Sequence, residues 1–515
     1  MLALRTPRLL VVPLLALGGC NLISGADSVE VTDALHVGQG GTGGSAPTAM
    51  PLVDGVSIDQ IAIYQGVKRP LMDHGAPASP ALAFPVVENR DALVRVFYTV
   101  LSNYNLQPVT ARLQIGTQAP IDVVSVLSGS STDATLQSTI NFEVPAAELT
   151  AGAGYRVDLM QSPALASGQN SFAQYPSQGL EALPIESSGA QVRIVLVPIS
   201  YGGDGSNRLP DTSEAQLKRY HDEYYRLYPT AAVDISVGPQ MDWGSTVDPD
   251  GTGWDDLLNG IMDFRTQSGA ASDEYYFGVF APAASMNNFC SGGCVAGLSP
   301  VAGPTDVYAR AGVGLGFSGD DAAQTAVHET GHMHGLSHAP CSTNGPIDSV
   351  DPSYPYPNAA IGQWGYDLVS KALLSPTKYV DMMSYCQPIW ISDYNFQLLF
   401  KRIRWVNGLG AQVLPPAGGE PVAYERISIG PDGRLTWRDP MLLALPPSGA
   451  PIVITATQGT GQVQIQGHFI AYGDLPGGLV LFPKPAQPIT KVDFLLNTQR
   501  RAASRNDLTH RAFDY

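Results

Sequence analysis

The spacing of apolar and polar positions indicates a β-rich region between residues 52 and 187. Short runs with a period of two, such as 56–64, 92–101 and 109–116, are separated by turn residues. Runs of this length and spacing predict an antiparallel β-sandwich domain over 52–187. The region contains no cysteine and therefore lacks the inter-sheet disulfide of antibody domains. We expect it to act as a spacer or to present substrate.

A different pattern begins at about residue 188, where apolar runs alternate with segments of helical period. The predicted strands cover 192–198, 233–237, 275–281, 294–300 and 306–312. The predicted helices cover 211–229, 252–264, a segment that carries four histidines, and 392–404. This order predicts a mixed, twisted sheet with helices packed against it over 188–408.

Short β runs return after residue 408, so residues 409–515 are predicted to form a small C-terminal β domain. A chain of 515 residues is also too long for one hydrophobic core. The expected fold class is therefore multidomain α+β, with a mixed sheet and helices in the middle and β domains on both sides.

The N-terminus has the pattern of an export signal. Arg5 and Arg8 precede an apolar run over 9–17 that is too short to span a bilayer. The sequence Leu-Gly-Gly-Cys that ends at Cys20 resembles the lipobox of bacterial lipoproteins. The resemblance implies that the signal peptide 1–19 is removed and that Cys20 is lipidated. The alternative is a secretory signal with an incidental cysteine.

Residues 20–51 are then a lipid-anchored flexible tether, because 37–51 is rich in Gly, Ser, Thr and Pro. Later segments have too few consecutive apolar residues to cross a membrane, so we expect attachment through the lipid alone. The expected location is an exported lipoprotein anchored at the bacterial cell envelope or surface.

The formal net charge is −17, and removal of Arg5 and Arg8 with the signal peptide makes it −19. A surface this acidic repels phosphate backbones and anionic headgroups, so nucleic acid is excluded as a partner. The remaining expectation is a protein or glycoprotein substrate, bound by a monomer.

The segment "AAQTAVHETGHMHGLSHAPC" (322–341) contains four of the nine histidines. His328 and His332 are four residues apart on one helix face, so both imidazoles can bind one cation at ~2.0–2.1 Å. Glu329 is close enough to reach a metal-bound water without being a ligand. The alternative is a core helix that happens to be rich in histidine.

A third ligand cannot come from the same helix face, so the chain has to turn after His332. Gly335 suits a left-handed turn, and His338 can then return to the metal. A glutamate ligand of the thermolysin type is excluded, because no glutamate lies between Glu329 and Glu420. The pattern predicts one catalytic Zn²⁺ held by three histidines, with a zinc-bound water attacking a carbonyl and Glu329 as general base.

The motif His-Glu-x-x-His-x-x-Gly-x-x-His is similar to the zinc signature of metzincin metalloproteases. "DMMSYC" (381–386) also resembles their Met-turn, with Met383 located 45 residues after His338. By this resemblance Met383 lies beneath the metal, and Tyr385 supplies a hydroxyl to the metal or the developing oxyanion. Met382 is the competing register for the turn, and a packed aromatic is the alternative for Tyr385.

The resemblance covers about 190–405 and implies a zinc endopeptidase whose extended substrate pairs with an edge strand, for which 295–301 is the candidate. The lipoprotein signal and flanking β domains are similar to the mucinase-type bacterial metzincins, which implies extracellular protein or glycoprotein substrates. Two alternatives remain. One is a surface-binding or adhesion lipoprotein with a metal-stabilised, inactive central domain, and the other is a zinc hydrolase for other amide bonds. Glu329 favours catalysis, because a structural site needs no base.

Four cysteines remain after Cys20, which in an exported chain indicates two disulfides with three possible pairings. We prefer Cys290–Cys294 and Cys341–Cys386, with a four-thiolate zinc site as the alternative. An inhibitory cysteine ligand of the zinc is not expected, because Cys20 is expected to be lipidated and Cys290 and Cys294 are assigned to a disulfide.

Two further features are assigned to structure. His334 lies about 200° around the helix from His332, which favours packing or a contact outside the ligand set. The segment 248–256 is interpreted as a turn before a helix, because its carboxylate spacing fits no complete calcium loop.

Overall fold

The computed structural model describes residues 50–505, apart from 80, 81, 83, 167, 169, 190, 342–348 and 410–419. The predicted signal peptide, Cys20 and nearly all of the tether lie outside the described residues. Within the described part, no helix combines the length and the apolar character needed to cross a membrane.

Two antiparallel sheets and one short parallel pair of strands, Val86–Val87 with Ile185–Glu186, form the N-terminal region. The strands are β1 (Val56–Tyr64), β2 (Lys68–Asp73), β3 (Ala76–Pro77), β4 (Val86–Val87), β5 (Ala92–Val100), β6 (Pro108–Ile115), β7 (Ile121–Val126), β8 (Ile140–Val144), β9 (Gly154–Met160), β10 (Gln174–Tyr175), β11 (Glu181–Ala182) and β12 (Ile185–Glu186). One sheet has the order β3-β2-β1-β5-β8, and the other has the order β10-β9-β6-β7 with β11 beside β9. Alternate residues of both sheets, such as Ile61, Val96 and Leu113, meet in one buried core.

The central sheet has the order β14-β13-β16-β18-β17, with β15 also paired to β13. Its strands are β13 (Val192–Tyr201), β14 (Val233–Val237), β15 (Met241–Trp243), β16 (Glu274–Phe280), β17 (Gly297–Leu298) and β18 (Ala311–Leu315). All neighbours are parallel except β17, which runs antiparallel to β18 at the edge. The sheet is therefore mixed, as expected.

Five α-helices lie in the described residues: α1 (Glu214–Leu227), α2 (Trp254–Gln267), α3 (Met286–Phe289), α4 (Asp320–Met333) and α5 (Asp393–Val406). The residues of β13 alternate between the two faces of the sheet, as a strand requires. Ile194 and Leu196 pack with α1, α4 and α5, whereas Val197 and Ile199 pack with α2. The central sheet is therefore covered on both faces.

Two of the predicted strands differ from the structure. Only Gly297–Leu298 of the predicted 294–300 is a strand. The segment predicted as a strand over 306–312 begins with a short 3-10 helix, Val307–Ala309, and β18 starts at Ala311. The Asp306 carboxylate explains the difference, because it accepts hydrogen bonds from the Gly303 and Ser448 backbone amides and so holds a turn.

Four short strands follow α4 along the chain and form two pairs: β19 (Gly365–Tyr366) with β20 (Leu373–Leu374), and β21 (Val380–Asp381) with β22 (Ile389–Trp390). The C-terminal region after α5 is a single antiparallel sheet. The sheet then contains β23 (Val422–Ile429), β24 (Leu435–Leu443), β25 (Ala450–Gln458), β26 (Gly461–Ala471), β27 (Gly478–Pro483), β28 (Lys491–Leu496) and β29 (Gln499–Ser504), in the order β24-β23-β27-β26-β25-β28-β29.

This C-terminal sheet packs on the central region through one face. Leu479 and Leu481 of β27 join the same core as α2, whereas Val480 and Phe482 join a core on the opposite face. The loop from β26 to β27, residues 472–477, consequently lies against the end of α4 and the edge strand β17. It carries Asp474 to the histidines.

Candidate metal centre

Helix α4 and the bend after it bring three histidines together. His328 and His332 project from one face of α4, and the helix ends where Gly335 adopts a left-handed φ of 87°. A side chain could not replace the Gly335 hydrogen, because a Cβ would lie 2.8 Å from the Ala302 carbonyl oxygen. The chain then returns so that His338 Nε2 is 3.2 Å from His328 Nε2 and 3.1 Å from His332 Nε2.

Two of these imidazoles are oriented by backbone carbonyls. His328 Nδ1 is 2.7 Å from the Met382 carbonyl oxygen, and His332 Nδ1 is 2.8 Å from that of Leu336. A carbonyl oxygen only accepts, so each Nδ1 carries a proton, and in the neutral imidazole each Nε2 is left with a lone pair. Burial also lowers the pKa of His332 to about 4, which keeps its imidazole neutral, the form that binds metals.

A fourth group, Asp474, completes the cluster and was missed by the sequence analysis. Its Oδ1 atom is 3.4 Å from His328 Nε2 and 3.2 Å from His338 Nε2, and its Oδ2 atom is 3.3 Å from His332 Nε2. No local pattern marks this residue, since it lies 136 residues after His338 in a region predicted only as a β domain. The four candidate ligand atoms lie within 4.8 Å of one another.

The spacing of these atoms fits a tetrahedral zinc ion. Ligands at ~2.0–2.1 Å from zinc are separated from one another by about 3.3–3.4 Å in a tetrahedron. The separations of His338 Nε2 from the other two Nε2 atoms, and of the nearer Asp474 oxygen from each histidine, run from 3.1 to 3.4 Å. Imidazole nitrogens and a carboxylate at this range form a donor set that suits Zn²⁺.

Glu329 lies beside the three histidines and Asp474, but its carboxylate is hydrogen-bonded to Ser299. Its carboxylate Oε2 accepts a hydrogen bond of 2.6 Å from Ser299 Oγ, which also donates to the Glu329 carbonyl at 2.9 Å. Burial raises the pKa of Glu329 well above its ordinary value, and the negative charge of Asp474 adds to the shift. Gly297 of β17 passes so close that a Cβ there would collide with the carboxylate.

The predicted Met-turn lies beneath α4. The Met383 side chain is fully buried, with its sulfur beside Gly331, where a Cβ atom would collide with it. Asp381 holds the turn by accepting hydrogen bonds from the Met383 amide at 2.8 Å, the Ser392 amide at 2.9 Å and Asn395 Nδ2 at 2.8 Å. Met382 contributes its carbonyl to His328, so the turn also orients that imidazole.

Tyr385 reaches the cluster from the Met-turn. Its hydroxyl donates a 2.9 Å hydrogen bond to Asp474 Oδ1, and its ring lies 4.6 Å from the His338 ring between centroids. The side chain is 43% exposed. The hydroxyl is therefore located where it can contact a ligand of the metal.

Both preferred disulfides are present. Cys290 is bonded to Cys294, and Cys341 is bonded to Cys386 with Cα atoms 6.3 Å apart. The second bond links the segment after His338 to the end of the Met-turn, so two elements that carry site residues are covalently joined. Because all four thiols are in disulfides, the alternative four-thiolate zinc site is wrong.

His334 is placed by packing. Its ring stacks on that of Tyr275 at 4.4 Å, and its Nδ1 lies 2.7 Å from the Thr330 carbonyl oxygen. Burial lowers its pKa to about 3, which keeps the ring neutral. These contacts confirm the prediction of a packing histidine.

A cleft of about 460 Å³ opens beside the cluster. It is lined on one side by 294–297 of the predicted edge strand and on the other by the Met-turn residues Met382, Ser384 and Tyr385. His328, Glu329 and Asp474 form its inner end. An extended polypeptide lying along 295–297 would therefore pass over the cluster.

Comparison with known proteins agrees with this chemistry. Residues 302–388 match the model of a zinc metallopeptidase family, Peptidase M66. The matched segment contains the three histidines, Glu329 and the Met-turn. No curated protein matches the chain. The family match and the His–Asp cluster together fit a zinc metalloprotease.

Proposed function

We propose that this protein is a zinc endopeptidase that hydrolyses peptide bonds of extracellular proteins or glycoproteins. The observation that carries the proposal is the convergence of His328, His332 and His338 at tetrahedral spacing beside a buried carboxylate, Glu329, that is not part of the ligand set. A purely structural zinc site has no use for such a carboxylate.

The three histidines would hold the zinc ion, which supplies Lewis acidity and activates water for attack on a carbonyl. Glu329 accepts a proton from the attacking water through its carboxylate and returns that proton to the leaving nitrogen. Ser299 orients the carboxylate by its hydrogen bond to Oε2. The Tyr385 hydroxyl donates a hydrogen bond toward the carbonyl oxygen, where negative charge develops.

Substrate is expected to bind in an extended form. Residues 295–297 line the cleft, which is open enough to admit a strand lying antiparallel to them. The net charge of the chain, −17, disfavours polyanionic partners. The proposed substrates are therefore protein or glycoprotein segments without strong negative charge.

One observation favours a second candidate function. Asp474 lies 3.2–3.4 Å from all three histidine Nε2 atoms and could serve as a fourth ligand, and zinc sites closed by four protein ligands are typically structural. The second candidate is therefore a surface-binding lipoprotein whose central region is stabilised by metal and does not catalyse hydrolysis.

Proteolysis assays with four chains distinguish the two: the wild type, Glu329→Gln, Asp474→Ala and the double variant. Each is incubated with casein and with a mucin-type glycoprotein, and bound zinc is measured in parallel. Cleavage by the wild type or Asp474→Ala that is abolished by Glu329→Gln and by a chelator supports the endopeptidase. Retained zinc with no cleavage by any chain supports the binding protein. Glu420→Gln, at an exposed glutamate, is the matched control and should behave as wild type.

We further propose that the protein is a lipoprotein anchored through Cys20, on the strength of the lipobox-like sequence that precedes it. Expression of Cys20→Ser in a bacterial host, followed by separation of membrane and soluble fractions, tests this. Release of the variant to the soluble fraction is expected. A variant that stays with the membrane as the wild type does would contradict the lipid anchor.

A further inference from the structure

Residues 471–473 pair with residues 299–301, which continue the edge strand β17 along which substrate is expected to bind. The Val301 amide donates to the Ala471 carbonyl at 2.9 Å, and the Gly473 amide donates to the Ser299 carbonyl at 2.9 Å. Between them, Pro300 and Tyr472 form an antiparallel bridge. The segment is thus an antiparallel addition to the same edge of the chain on which a substrate strand is expected to lie.

The Asp474 carboxylate at the end of this segment contacts the three histidines and Tyr385. It lies 3.2–3.4 Å from the three histidine Nε2 atoms and accepts a hydrogen bond from the Tyr385 hydroxyl. A peptide cut at this site ends in a new carboxylate, and Asp474 places a carboxylate where that product group would be.

The segment is held firmly in this position. Tyr472 is buried in the core shared with α2, and its carbonyl accepts a 2.9 Å hydrogen bond from Ser349 Oγ. The Gly473 backbone lies directly against His332, since a Cβ added to Gly473 would be 2.5 Å from His332 Nε2. Only glycine allows the backbone to approach this closely, so the contact is built into the sequence.

We propose that residues 471–474 are an internal blocking segment that holds Asp474 in place as a fourth metal ligand, so that a substrate carbonyl in the cleft cannot reach the metal. The effect of this blocking segment on activity rests on the proposed endopeptidase function. Ligation by Asp474 can be tested without any substrate, because a small bidentate ligand for the metal competes for the same position.

The test uses the full chain loaded with Co²⁺, whose visible absorption reports ligand number, and acetohydroxamic acid as the competing ligand. Asp474→Ala and the isosteric Asp474→Asn are compared with wild type and with Asp439→Ala, an exposed aspartate of the same sheet. Far-ultraviolet circular dichroism confirms that each variant is folded. If Asp474 occupies the position nine-tenths of the time, its removal tightens hydroxamate binding about tenfold.

A changed Co²⁺ spectrum and tighter hydroxamate binding in both Asp474 variants, with Asp439→Ala unchanged, support the blocking segment. An unchanged spectrum and affinity in folded Asp474 variants overturn it. A wild type that cleaves protein as fast as Asp474→Ala also overturns the block, while leaving the endopeptidase in place. Tighter hydroxamate binding without cleavage by any chain keeps Asp474 as ligand and rejects the endopeptidase instead.

Discussion

Replacement of Gly297 by alanine should displace the Glu329 carboxylate without unfolding the protein. The added Cβ would lie 2.7 Å from Glu329 Cγ and 2.8 Å from Cδ, and closer still to Oε1. Carbon atoms pack at about 3.5–4.0 Å, so the side chain has to move by roughly 1 Å. A misplacement of that size can reduce a catalysed rate by about 100-fold, which equals about 2.7 kcal/mol of transition-state stabilisation.

The substitution should also lower the free energy of unfolding, but by less than the roughly 5–15 kcal/mol that keeps a typical protein folded. The obstacle is a side chain that can rotate, and overpacking of this kind costs about 1–3 kcal/mol. The backbone φ of Gly297 is not in the left-handed region, so alanine adds no backbone strain. Gly292→Ala is the matched control, because a Cβ at that position meets nothing within 4 Å.

The assay is the initial rate of peptide hydrolysis, with zinc content and thermal midpoint measured on the same samples. It is run in the wild-type chain and again with Asp474→Ala, so that the proposed blocking segment does not hide the effect. We expect kcat/KM to fall about 100-fold relative to Gly292→Ala, with zinc retained. If Gly297→Ala retains zinc and stays within about threefold of the control, Glu329 does not act as the base from this position.

Three other predictions follow from contacts near the site. Ser299→Ala should lower kcat/KM by about 10- to 150-fold, since hydrogen bonds to charged groups contribute about 1.5–3 kcal/mol. Burial raises the pKa of Glu329, and the Ser299 hydroxyl opposes that shift. In Ser299→Ala the pKa of Glu329 should therefore rise further, and the acid limb of the pH–rate profile should move to higher pH. An unmoved limb contradicts a role of Ser299 in positioning Glu329. Replacing Cys341 and Cys386 by serine should lower the free energy of unfolding, measured by urea titration, by about 4 kcal/mol. Replacing Cys290 and Cys294 should lower it by only about 2 kcal/mol, because that disulfide joins residues 4 apart and the first joins residues 45 apart. Equal losses would refute the loop-entropy argument. Asp381→Ala should weaken zinc binding about 10- to 100-fold in chelator competition, since the Met-turn it supports orients a metal ligand; unchanged affinity would separate the turn from the metal.

Local sequence rules were sufficient for the elements that depend on neighbouring residues. The helix with the histidines, its end at Gly335 and the approach of His338 follow from helical period and glycine backbone freedom, and all three are present. The pairing Cys341–Cys386, preferred among the three possible arrangements of the four cysteines, is also present. The catalytic roles of Glu329 and Tyr385 stay predictions.

Contacts between distant parts of the chain were not predictable in this way. Ser299 lies 30 residues from Glu329, and Asp474 lies 136 residues from His338. Neither residue carries a local signal, because a serine just after a short strand and an aspartate in a Gly/Pro turn are both common in proteins without a functional role. Their importance arises only when β17 and the C-terminal sheet pack around α4.

The hydrophobic core that α2 shares with the C-terminal sheet has a consequence for how the chain is made. Trp254 and Leu258 complete their packing with Leu475, Leu479 and Leu481, which are synthesised more than 200 residues later. Contacts this distant form late, after the loop between them has closed. A fragment that stops before the C-terminal sheet would expose the apolar face of α2 to water and should aggregate. Expression should therefore yield soluble protein only when the chain extends through the C-terminal sheet.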